Sequence, residues 1–107
     1  MIYIKIHPSD NGSVIAMCDD SLMGAVLEEG DAFIDINTYS DFYKGRLVKK
    51  EDALKIITDV KDFYSANIVG KESVGIALEV GLIEKVNVKK VKKVPYAQSY
   101  RIIGSVV

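Results

Sequence analysis

Cys18 is the only cysteine and His7 the only histidine of the 107-residue chain. The cysteine sits in AMCDDSLMG, directly before Asp19 and Asp20. A catalytic thiolate needs an electropositive setting or a nearby imidazole. Here the neighbours are acids, which favour the protonated thiol, and His7 falls at a strand end beside Pro8. Cys18 also continues the apolar face of Val14 and Ala16, where a small side chain packs well. The expectation is a structural, core-facing thiol. Asp19 and Asp20 invite comparison with an acid–base couple, which needs two carboxyls facing one cleft. Adjacent residues of an extended chain point apart, so the pair reads as a strand end followed by a cap.

One cysteine and one histidine leave any metal site to carboxylates, and no spacing resembles a zinc or EF-hand set. No metal and no cofactor are expected. SANIVGKES compares with a phosphate loop but fails: Glu72 stands where Ser or Thr belongs, and no glycine opens the motif. What remains is a loop from Asn67 to Gly70 entering a helix. Its N–H groups either hold an anion or are capped locally by Asn67, the reading favoured here.

The strongest functional pattern is KVNVKKVKKVPYAQSYR, which has no acid between Lys85 and Arg101. Lys89, Lys90, Lys92, Lys93 and Arg101 are suited to phosphates. Tyr96 and Tyr100, on one face of the following strand, are suited to stacking on unpaired bases. The competing reading is a solvated edge strand, since lysines also block edge-to-edge pairing.

These residues have to be positioned by a fold. Ile2, Ile4 and Ile6 alternate with Tyr3, Lys5 and His7, and Val14, Ala16 and Cys18 continue the alternation beyond an Asn11-Gly12 turn. Residues 2–18 therefore read as a β-hairpin whose second strand is covered on both faces. Asp20 is placed to cap a short helix holding Leu22, Met23, Val26 and Leu27, although Gly24 and Glu28-Glu29 oppose it. Ala32, Ile34 and Ile36 mark a third strand, and YSDFYK a helical turn capped by Asn37 or Thr38 and ended by Gly45. Residues 50–64 carry a helical apolar stripe through Ala53, Ile57, Val60 and Tyr64. Asn67 and Gly70 break it, and KESVGIALEV forms a further helix ending at Gly81. Val86 and Val88 alternate, Val91 arrives one residue late and suggests a bulge, and a last strand runs from Tyr96 to Ile102. The pattern is one α+β domain over residues 1–107, with a mainly antiparallel sheet and two to three helices.

The composition, 49% hydrophobic, supplies a core, and no apolar run approaches the roughly 18 residues of a membrane span. The N-terminus lacks a signal-peptide layout, and a lone cysteine fits a reducing cytoplasm. Residues 1–43 hold Lys5 against eight acids and residues 44–107 thirteen bases against seven acids, although the whole chain is only −1. Such asymmetry means either a basic binding face or two halves that attract each other.

In order along nearly the whole chain, MIYIKI, AMCDDSLMG, DFYKG, ANIVG, ALEVGLI and VPYAQ resemble an archaeal domain-of-unknown-function family, number 424. The resemblance implies a small stand-alone archaeal protein associated with translation and RNA handling. It also implies that Cys18, Asp19, Gly24, Phe42, Tyr43, Gly45, Asn67, Gly70, Pro95 and Gln98 belong to a recurring pattern. The chain departs from that pattern at Ala25, where the family has Lys, and at Tyr96, where it has His. Tyr keeps stacking and hydrogen bonding at that position but not imidazole acid–base chemistry. The expected function is an RNA-associated binding module, with RNA or a ribonucleoprotein as partner. The alternative is a small enzyme or ligand-binding protein with a pocket of Cys18, Asp19, Asn67, Gly70 and Gln98. A third possibility is an adaptor that docks through its C-terminal IIGSVV.

Overall fold

The computed structural model describes residues 1–100. Ile102 and the rest of IIGSVV, together with Arg101, lie outside the described residues. Strands β1 (Ile2–Ser9) and β2 (Gly12–Asp19) form the N-terminal hairpin, in register from Ile2 opposite Asp19 to Ser9 opposite Gly12. The turn centres on Asp10-Asn11, one residue earlier than an Asn-Gly turn would. The positive φ of 131° falls on Gly12. A Cβ there would lie 2.3 Å from the Asp62 carbonyl oxygen, so glycine is required for space as well as for dihedral.

Six strands form one sheet in the order β5-β1-β2-β6-β8-β7, where β5 is Arg46–Val48, β6 Phe63–Val69, β7 Val88–Val91 and β8 Val94–Tyr100. Among the described residues only the β2–β6 pair of this sheet is parallel; its other pairings are antiparallel. The α+β class and mainly antiparallel sheet are those the residue pattern implies. Helices α2 (Lys50–Asp59) and α3 (Lys71–Glu79) share one face. There Ile2, Ile4, Ile15, Met17, Ile68 and Ala97 meet Ala53, Ile57, Val74 and Ala77 in the main core. A hairpin of β3 (Val26–Glu29) and β4 (Ala32–Asp35), with the single-turn helix α1 (Ser40–Tyr43), covers part of the opposite face. Ala16, Cys18, Ile36, Tyr43 and Val69 form a second core beneath it. Ile36 is fully buried there, which stabilises docking of this layer by roughly 1.5–3 kcal/mol.

Three elements differ from expectation. Residues 20–29 are not one helix. A 3₁₀ turn at Asp20–Leu22 ends, Gly24 takes φ 88°, and β3 begins at Val26. Gly30, at φ 60°, then turns the chain into β4. Helix α2 stops at Asp59 rather than reaching Tyr64, and FYSANIV becomes a central strand. Central strands need apolar character on both faces; Ser65 and Asn67 masked that signal. Val91 is not displaced by a bulge. It pairs regularly with Val94 and lies fully buried on the opposite face from Val88, under the β3–β4 hairpin. Among the described residues no helix is long and apolar enough to cross a membrane.

Candidate ligand cleft

The sheet face opposite α2 and α3 is set by strand alternation. In one row Tyr3, Cys18, Val69, Tyr96 and Lys89 stand side by side across β1, β2, β6, β8 and β7. In the next row stand Lys5, Ala16, Asn67 and Gln98. The β3–β4 layer covers the β2 side of this face and leaves a cleft of about 660 Å³ over β6 and β8. Asn67, Val69, Tyr96 and Gln98 form its floor. Phe33, Tyr39, Phe42 and Tyr43 form its walls. Its size and its mix of apolar walls with a few polar groups suit a small planar ligand or an extruded base.

The floor is an amide pair. Gln98 Nε2 donates to Asn67 Oδ1 at 2.9 Å. This leaves the Asn67 amide N–H groups as donors and Gln98 Oε1 as an acceptor, the complement of a base edge. Gln98 is exposed and Asn67 half-buried, so both are reachable from the cleft.

The walls are held by β1. Lys5 Nζ donates to the Asp41 carbonyl at 2.7 Å, and His7 Nε2 to the Phe42 carbonyl at 2.8 Å. These satisfy carbonyls at the end of α1 that have no partner within the helix. His7 also stacks on Phe42 with ring centroids 4.6 Å apart, and Phe42 meets Tyr43 edge-on at 5.1 Å. The sole histidine is thus spent on positioning aromatic walls. On the rim, the Thr38 hydroxyl and backbone N–H hold the Asp35 carboxyl below the usual range and keep it anionic.

The five residues expected to share a pocket are placed in three settings. Asn67 and Gln98 line the cleft. Cys18 lies fully buried beneath the β3–β4 layer, and burial followed by Asp19 and Asp20 pushes its thiol up to about 12. It is therefore a protonated thiol at neutral pH. Burial, with Cys18 beside it, likewise raises the Tyr43 hydroxyl to about 12. Asp19 and Gly70 stand at the end of the sheet. Asp19 accepts from the Glu72 and Ser73 backbone N–H groups at 3.0 and 2.8 Å and from the Ser73 hydroxyl at 2.7 Å. The carboxylate of β2 thus caps α3, in place of Asn67 or a bound anion. Among the described residues no group of His, Cys, Asp and Glu is placed to hold a metal.

The basic ribbon is divided as well. Lys89 stands opposite Tyr96 on the cleft face, whereas Lys90 pairs with Pro95 and points to the other face. Lys92 and Lys93 form the β7–β8 turn, with φ 48° and 67°, and the Lys92 N–H donates to Glu29 at 3.0 Å. Tyr96 is half-buried in the cleft floor and Tyr100 is 64% exposed. Phe33, Tyr39 and the rest of the aromatic wall were not foreseen as a site. Tyr39, Phe42 and Tyr43, at i, i+3 and i+4, carried the available signal: one aromatic helix face in a largely polar segment.

A family model described as "Protein of unknown function (DUF424)" matches residues 6–102. A solved structure described as an uncharacterized conserved protein from Methanopyrus kandleri is similar in fold. It has a TM-score of 0.78 and 24% identity, over 92% of this chain and 90% of that one. The comparison with curated proteins returns no match.

Proposed function

The chain belongs to the DUF424 family, and we propose that it is an RNA-associated binding module that takes an unpaired base into the cleft. One observation carries this reading: an aromatic-walled hollow whose floor is the Asn67–Gln98 amide pair. Aromatic faces stack on any base, and side-chain amides hydrogen-bond base edges. Lys89, one strand over from Tyr96, supplies a cation where the backbone of such a nucleotide would leave the cleft. The alternative, a small-molecule-binding protein, uses the same hollow without the cation.

Titration of oligouridylate and oligoadenylate, followed by amide chemical shifts, tests the reading. Shifts should cluster on Asn67, Val69 and Gln98 and on the α1 wall. Gln98→Ala should weaken binding about 5- to 150-fold, the range of one good bidentate base contact. Gln98 is exposed, so its loss should leave folding stability within about 0.5 kcal/mol. Absence of binding at low salt, or shifts confined to lysines outside the cleft, overturns the proposal.

A further inference from the structure

We propose that the RNA path continues from the cleft over the Tyr96–Gln98 ridge into a second hollow, so that the site takes a run of about three unpaired nucleotides. This rests on the base-in-cleft reading and extends it to ligand length and direction. A hollow of about 270 Å³ lies on the β7 side of the ridge, lined by Val86, Asn87, Lys89 and Tyr100. Tyr96 and Gln98 line both hollows, so the two are contiguous. At its far end Tyr100 is 64% exposed, and its ring meets Tyr64 edge-on with centroids 6.2 Å apart. Val86, in the 3₁₀ turn Lys85–Asn87, is 82% exposed beside it. Large apolar surface left open along one side of a polar groove marks a contact surface.

The spacing sets the length. Tyr96 and Tyr100 share a face of β8 four residues apart, about 13 Å along the strand. No single base spans that distance, whereas a short nucleotide chain does. At the Tyr96 end of the path, Lys89 is its cation. Among the described residues the ion pairs involve Met1 and Lys50 but not Lys89, so its ammonium is left for a phosphate. Asn87 already accepts from the Glu84 N–H through Oδ1, which turns its amide N–H groups toward other acceptors. The first base thus stacks in the cleft against the amide floor. A following phosphate meets Lys89, and the last base stacks on Tyr100.

Calorimetric titration of uridine and of oligouridylates of increasing length, up to five residues, tests the path. The trinucleotide should bind at least about tenfold tighter than uridine, the yield of one added stacking contact. Tyr100→Ala should remove most of that gain while leaving uridine itself unchanged, and Lys89→Ala should likewise remove most of the gain. Gln98→Ala should weaken every length alike. Affinity independent of length, or a length gain untouched by Tyr100→Ala and Lys89→Ala, overturns the path. The base-in-cleft reading survives that result if Gln98→Ala still weakens uridine. No binding at any length overturns both.

Discussion

At the scale of single residues, Asp19 and Gly70 form one device. The Asp19 carboxylate caps α3, and a Cβ on Gly70 would lie 2.3 Å from its Cγ. Gly70 also holds φ 112°, which side-chain-bearing residues rarely adopt. Asp19→Ala should cost about 2–4 kcal/mol in a denaturant midpoint, from the lost cap and the buried Ser73 hydroxyl left without its acceptor. Gly70→Ala should cost at least as much. In the Asp19→Ala background the Gly70→Ala penalty should shrink without vanishing, because the collision is relieved and the dihedral is not. Equal penalties in both backgrounds would mean the carboxylate does not confine Gly70. The role of Asp19 was not legible because its partners lie 53 and 54 positions away. Cys18 was legible, since its acidic neighbours and apolar face both argue for an inert thiol. Its unfolded thiol ionises near 9, while burial holds the native one protonated to about 12. Above pH 9 the unfolded chain therefore binds fewer protons than the native chain, so stability falls as pH rises, with Tyr43 adding to the slope above 10. Each group contributes up to about 1.4 kcal/mol per pH unit. Cys18→Ala should flatten the part of an alkaline stability profile that begins near pH 9.

At the scale of elements, the outcome turns on β6. Its loss to the helix pattern would have hidden the cleft floor, because Asn67 faces Gln98 only when FYSANIV pairs with β8. Period-2 signals are weakest in strands buried on both faces, and the hydrophobic stripe of α2 ran into it without a glycine or proline to stop it. By contrast the β1–β2 hairpin and α3 were readable, since each has clean periodicity and a terminal glycine. The β7–β8 turn is the opposite case, an element whose sequence contradicts its geometry. Lys92 and Lys93 both adopt positive φ, where an asparagine-glycine pair is at ease. Replacing them together, Lys92→Asn with Lys93→Gly, should raise stability by about 0.5–1 kcal/mol, the relief of left-handed backbone strain less the added freedom of glycine in the unfolded chain. The same double variant separates two views of the ribbon. If base contacts dominate, RNA affinity changes little; if the turn lysines carry phosphate, affinity falls for every sequence alike.

At the scale of the whole molecule, charge decides what kind of binding the proposed RNA-associated role would require. The acidic N-terminal part and the basic C-terminal part meet in the fold: the β3–β4 hairpin, with Glu28, Glu29 and Asp31, packs along β7, and Glu29 accepts from the Lys92 N–H. Asp35 stands anionic on the cleft rim while Lys89 stands across the ridge. A polyanion approaching this face meets acid on one side and a single well-placed ammonium on the other. Among the described residues this face therefore lacks the uninterrupted positive surface that long electrostatic footprints need, and the chain's net charge of −1 gives no general attraction. Binding led by stacking and amide contacts has a distinctive signature. Each neutralised phosphate on a single strand contributes about −0.7 to the slope of log K against log salt. With Lys89 as the main cation the slope should lie near −0.7, and no steeper than about −1.5 if one turn lysine joins it. Lys89→Ala should bring it close to zero while Gln98→Ala leaves it unchanged. A slope of −3 or steeper would transfer the binding from the cleft to the lysine ribbon as a whole, because only several phosphates held at once produce it.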